Sequence, residues 1–201
     1  CHYYATDISA SSKGTSFTVH TPSGDSDVFT TKMVGAHNVI NIVGAIAVCC
    51  ELGIPLAKLK TQVRKLESVP HRLQLIRRQG ITIIDDAFNA NPTGAKAAID
   101  ALSLFDGCKI LVTPGMVELG EKQDELNRNF GAYAAKVCDY VMLVGKKQTQ
   151  SIYDGLISAG YPEKQIFVAD VLQDALSKAY EVSCDGKEKI ILLENDLPDN
   201  F

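Results

Sequence analysis

The chain has 201 residues, of which 46% are hydrophobic and 22% charged, and its formal net charge is −4. This is ordinary globular usage, which excludes collagen-like, disordered and low-complexity chains. The acidic balance argues against general nucleic-acid binding, which needs a basic face. No apolar run approaches the ~20 residues of a membrane span. The stretch from His2 to Thr15 is polar and mixed, unlike a secretory leader, so the expected location is the cytoplasm. Cys1, Cys49, Cys50, Cys108, Cys138 and Cys184 form no CxxC pair and match no zinc spacing, so no metal site is expected from them. They are expected to be buried reduced thiols.

Residues 15–32 read as a hairpin: TSFTVH and VFTTKM alternate around the turn cluster TPSGDSD. GAHNVINIVGAIAVCCELG then reads as a helix apolar almost all round, hence buried, and stopped by Gly53 and Pro55. A second helix is expected from about Pro55 to Leu66, with Leu56, Leu59, Val63 and Leu66 on one stripe. SVPHR breaks the pattern and places a domain boundary near Pro70. Two strands and an all-apolar helix make a poor free-standing core. Together with the opening Cys1-His2-Tyr3, this suggests a chain that begins partway through a domain.

After the seam, strands and helices alternate. QLIRR and ITIIDD are strands split by a Gln-Gly turn; KILVT, YVMLVG, QIFVA and KIILLE follow, separated by helical stretches. Short apolar strands between such helices predict an α/β fold: a Rossmann-like, mostly parallel sheet with helices on both faces. Ligands of such sheets sit at the carboxyl ends of the strands. That rule points to residues 85–92, 113–120, 145 and 194–196.

ITIIDDAFNANP is the most informative stretch. A buried strand runs into Asp85 and Asp86, then into Asn89, Asn91 and Pro92. A carboxylate there can accept hydrogen bonds from ribose hydroxyls or help hold a cation; equally, Asn91 and Pro92 suit the N-cap and first position of a helix. In GAHNVIN, Asn38 and Asn41 share a helix face and their amides suit a base edge, although Asn38 also suits an N-cap. Arg72 at the seam suits a phosphate or an ordinary solvated salt bridge. In VTPGMVELGEKQ, Glu121 is explained by the helix start that follows, whereas Glu118 is left to face the cleft. No GxxxxGK[ST] loop, GxGxxG or HExxH is present.

Taken in order, GAHNVIN, PHR, IIDDAFNANP and GMVELGE resemble the Mur ligase family, ATP-dependent ligases that build the peptide of peptidoglycan precursors. The HN after the glycine and the DD-x-x-N-A-N-P segment are most similar to the members that add D-alanyl-D-alanine to UDP-N-acetylmuramoyl tripeptide. The resemblance implies three domains, with residues 1–69 the tail of the central ATP-binding domain (hairpin plus two helices) and residues 70–201 the whole C-terminal domain. It implies amide formation through an acyl phosphate, with ATP and Mg2+ as cofactors and a UDP-sugar-peptide and an amino acid or dipeptide as substrates. It further implies that Asn38 and Asn41 contact adenine, Arg72 reaches the phosphates and Asp86 holds the ribose. Asn89 and Asn91 line the cleft near the nucleotide and the incoming amine, and residues 69–73 form a hinge. The family's P-loop, metal-binding carboxylate and modified lysine precede Cys1, so this chain alone is expected to be inactive. The ending IILLENDLPDNF differs from the Lys-Gly-Ser-Arg-Gly type. Two other readings remain open: a non-catalytic nucleotide- or partner-binding module, and a ligase similar to folylpolyglutamate synthase.

Overall fold

The computed structural model describes residues 2–196. Cys1 and the last five residues of the IILLENDLPDNF ending lie outside the described residues, and so do the expectations attached to them. The chain divides into two compact units, Cys1–Ser68 and Val69–Phe201.

The first unit opens with three antiparallel strands, β1 (Tyr4–Ser11), β2 (Gly14–His20) and β3 (Ser26–Thr31), in that order. The hairpin expected from the sequence is β2–β3. β1 is an addition to it: its residues are mostly exposed and its register shifts between Thr6 and Ser9, so it carries no apolar alternation to read. Helices α1 (His37–Glu51) and α2 (Leu56–Arg64) follow. Phe17, Val19 and Phe29 from the sheet pack with Val39, Ile42, Val43 and Ile46 of α1 and Leu59 and Val63 of α2. The expectation that α1 is buried all round is corrected. Its opposite stripe is open, with Ile40 77% exposed and Val48 61%, because the described residues supply one sheet and α2 on its other side and nothing to cover this one.

The second unit is built on a six-stranded sheet of β4 (Gln74–Arg78), β5 (Ile81–Asp86), β6 (Cys108–Thr113), β7 (Tyr140–Val144), β8 (Ile166–Ala169) and β9 (Lys189–Glu194). The order is β4-β5-β9-β6-β7-β8. Only the β4–β5 pair is antiparallel. The last strand in sequence therefore returns to the middle of the sheet. Helices α3 (Pro92–Ser103), α4 (Gln123–Ala134) and α5 (Gln150–Ser158) pack side by side, and α6 (Leu172–Glu181) packs on β6, β7 and β8. Strand residues alternate between faces. Ile110, Val112, Met142 and Ile191 meet Ala175 and Ala179 of α6, and Leu111, Leu143, Ile190 and Leu192 turn the other way, all fully buried. A sheet covered on both faces explains why its strands read as continuous apolar runs.

One expectation about the cysteines is also corrected. Cys108 and Cys184 form a disulfide, with Cα atoms 5.8 Å apart, joining the start of β6 to the α6–β9 connection. Their separation of 76 residues in sequence leaves no local spacing signal. Cys138 is a buried free thiol, whereas Cys49 and Cys50 are half-buried.

Candidate functional site

β5, β9 and β6 are neighbours, and their registers put Asp86 beside Glu194 and Val112 beside Leu193. Thr113 is the next residue along β6, so Asp86, Glu194 and Thr113 form one row across three strand ends on a single face of the sheet. Thr113 Oγ1 donates to Glu194 Oε2 at 3.1 Å and accepts from the Gly115 amide at 3.0 Å. Glu194 is 1% exposed. Burial pushes its carboxyl up to about 8; the charge of Asp86 adds to the rise and the Thr113 hydrogen bond opposes it. Glu194 therefore holds its proton to a higher pH than an ordinary carboxyl.

Asp86 Oδ1 accepts the Leu73 amide at 3.0 Å. Asp85 points to the opposite face and is buried, accepting the Ala87 amide at 3.2 Å and lying 2.9 Å from His71 Nδ1. His71 and Leu73 both have left-handed backbone, φ 61° and 48°, which L-residues adopt only when their surroundings impose it. The two aspartates thus secure the segment that carries Arg72. That guanidinium lies exposed, 4.2 Å from the centre of the Phe88 ring, itself 57% exposed.

The β5–α3 loop carries the two asparagines. Asn91 caps α3: its Oδ1 accepts the Gly94 amide at 2.9 Å, with Pro92 opening the helix. Of the two readings open for Asn91, the capping geometry is present. Asn89 is exposed. Glu118 is exposed with φ 62°. A groove of about 210 Å³ between α3 and α4 is lined by Pro92, Lys96, Met116 and Phe130 among others.

In the first unit, Asn38 does not cap α1. The cap position is Ala36, and Asn38 Nδ2 donates instead to the Val34 carbonyl at 2.9 Å. Asn41 is exposed one turn on. Gly35, just before the helix, has φ +100°, and a Cβ there would strike the His37 ring. Entry into the helix therefore requires glycine.

Arg72, Asp86, Asn89 and Asn91 thus gather at the carboxyl ends of the second unit's sheet, whereas Asn38 and Asn41 belong to the first turns of α1. Glu194 and Asn195 were legible only as part of a strand end; an acid closing an apolar strand is the same signal that singled out Asp86. The exposed guanidinium suits a phosphate, and a strand-end carboxylate suits sugar hydroxyls. Among the described residues, no three His, Cys, Asp or Glu side chains gather to hold a metal ion. No helix among them is long and apolar enough to cross a membrane.

Comparison with known proteins agrees with this architecture. The sequence family described as Mur ligase, glutamate ligase domain, matches residues 71–193. The UDP-N-acetylmuramoyl-tripeptide–D-alanyl-D-alanine ligase of Escherichia coli is 36% identical over 149 residues, covering 72% of this chain and 32% of that protein. The ligase of the same name from Haemophilus influenzae is 34% identical over 193 residues, covering 95% of this chain and 41% of that one. The crystal structure of MurF ligase from Thermotoga maritima in complex with ADP superposes with a TM-score of 0.77 at 22% identity, covering 97% of this chain and 43% of that chain. The chain thus spans about a third to two fifths of the length of these curated relatives. With the family match running from the segment secured by the two aspartates to the end of β9, the chain belongs to the Mur ligase family.

Proposed function

We propose that this chain is part of an ATP-dependent ligase of peptidoglycan precursor synthesis, one that joins D-alanyl-D-alanine or another amino acid to a UDP-N-acetylmuramoyl peptide in the cytoplasm. Residues 1–69 are the end of its central ATP-binding domain and residues 70–201 its C-terminal domain. In the reaction, a carboxylate oxygen of the acceptor attacks the γ-phosphorus of ATP and ADP leaves. The incoming amine then attacks the acyl carbon, phosphate departs and the amine gives up a proton.

In this reading the residues of this chain bind and orient. The carboxylate of Asp86 accepts from ribose hydroxyls, and Arg72, held between two left-handed residues, offers its guanidinium fork to the phosphates. Asn38 and Asn41 face the adenine, and Asn89 and Asn91 lie on the side of the incoming amine. Mg2+ would neutralise phosphate charge on ligands outside this chain. With no P-loop in its sequence, the chain by itself is expected to show no turnover.

The observation that carries the reading is the row of Asp86, Glu194 and Thr113 at three adjacent strand ends, beside an exposed Arg72, in a chain of this family. The test uses the full-length enzyme. Asp86→Ala and Arg72→Ala are each expected to raise the KM for ATP about tenfold or more, the loss of one charged contact. An unchanged KM in either variant would remove that residue from nucleotide binding.

A further inference from the structure

Asn195 stands out among the residues that the proposed reaction leaves unused. It follows β9 directly, is 6% exposed, and has left-handed backbone at φ 67°. Both ends of its amide are engaged. Nδ2 donates to the Gly115 carbonyl at 2.6 Å, and Oδ1 accepts the Ala90 amide at 2.9 Å. Its own backbone amide donates to the Asp86 carbonyl at 3.3 Å. One side chain thus spans from the β6–α4 loop to the β5–α3 loop.

The two loops are not equally secured. At Gly115 and Met116 the β6–α4 loop has other holds: the Gly115 amide donates to Thr113, the Met116 amide donates to Asn127 Oδ1 at 2.9 Å, and the Met116 carbonyl accepts from Asn127 Nδ2 at 2.8 Å. The β5–α3 loop is held at its ends by local contacts, Asp85 to Ala87 and Asn91 to Gly94. Between them, the Ala90 amide is hydrogen-bonded to the residue that follows β9, and Phe88 stacks against the Arg72 guanidinium. The chain neighbours of Ala90 are Asn89 and Asn91. The fixed side of the staple is therefore Gly115, and the side it orders is the loop bearing the asparagines.

We propose that Asn195 is a positioning residue: its amide bridges Gly115 and Ala90 and fixes the β5–α3 loop in the conformation that presents Asn89 to the incoming amino substrate. This rests on the ligase reading above. Asparagine suits the task on two counts. It tolerates left-handed backbone better than other residues with a side chain of this length, and its amide donates and accepts at once. Asp86 lies on β5 itself, in continuous register with β9, so the staple bears on the amine side of the site more than on the nucleotide side.

Asn195→Gly tests this cleanly, because glycine keeps the left-handed backbone and deletes only the amide. Asn195→Asp keeps the acceptor for Ala90 but sets a carboxylate against the Gly115 carbonyl. Hydrogen exchange by mass spectrometry on the full-length enzyme reads the tether directly. Peptides covering residues 87–91 should exchange at least tenfold faster in Asn195→Gly, with peptides from β7 unchanged. Unchanged exchange at 87–91 overturns the proposal, as does a general rise that includes β7. Steady-state kinetics on the same preparations use D-alanyl-D-alanine as the amine. The expected result is a KM for the dipeptide raised about tenfold in both variants, with the KM for ATP changed less than twofold. Equal rises in the two constants, or none, would also overturn it. If the wild-type enzyme does not turn over the dipeptide, that substrate assignment fails by itself, and the exchange data still decide whether Asn195 holds the loop.

Discussion

Glu194 is a carboxyl whose environment, rather than its identity, sets its charge. It is buried between Asp86 and Thr113, and its folded pKa of about 8 lies above the ordinary value of 4.5. The folded state therefore keeps a proton that the unfolded chain releases. The resulting stability is fully present below about pH 4.5, falls as pH rises toward 8, and is flat above that, with a slope of at most ~1.4 kcal/mol per pH unit. Glu194→Gln keeps a neutral group of the same shape. Chemical denaturation from pH 5 to 9 should show the wild type losing stability relative to this variant across that window. Parallel curves would mean that Glu194 is ionised throughout. The same residue-scale logic explains Asn91. Turn chemistry in the sequence allowed a cap, a ligand contact or both, and the 2.9 Å bond to the Gly94 amide supplies the cap.

Between elements, α4 and α5 approach each other closely. Gly131 and Gly155 face each other's helix backbone: a Cβ on Gly131 would collide with the Ile152 carbonyl, and one on Gly155 with the Arg128 carbonyl. Both helices are backbone against backbone there, so neither can yield by turning a side chain. Gly131→Ala is expected to destabilise the second unit by about 1–3 kcal/mol, the usual cost of overpacking, read from the denaturation midpoint. A neutral or stabilising alanine, as helix propensity alone would give, would show that the helices can separate at little cost. In the first unit the corresponding lesson is α1. Its apolar composition was visible, but a helix apolar on both faces is buried on both only if two layers exist to cover it. Here Phe17, Val19 and Phe29 cover one.

For the whole molecule, the Cys108–Cys184 disulfide closes a large loop within the second unit. Cross-links over loops of this size contribute about 2–4 kcal/mol. Reduction, or the double substitution Cys108→Ser with Cys184→Ser, should lower the protection of β5–β9 against hydrogen exchange by that amount and leave β1–β3 unchanged. Equal losses in both units would contradict a bond confined to one of them. The two cysteines stand far apart in sequence and are brought together because β9 returns to the centre of the sheet beside β6.

What the sequence determined by itself was the alternation. Apolar runs of strand length between helices specify a two-faced parallel sheet, since only strands covered on both sides lack a polar face. The same alternation located the carboxyl ends where Asp86, Asn89 and Asn91 stand. The motif order from GAHNVIN to GMVELGE carried the family, because such motifs are local in sequence. The tertiary structure alone decided strand order, and with it every contact made across strands: the row of Asp86, Glu194 and Thr113, the staple at Asn195, and the disulfide. It also supplied β1, an exposed edge strand with no alternation to read, and left one stripe of α1 open. Burial patterns report how many faces of an element are covered; which neighbour covers them is settled only when distant segments pack.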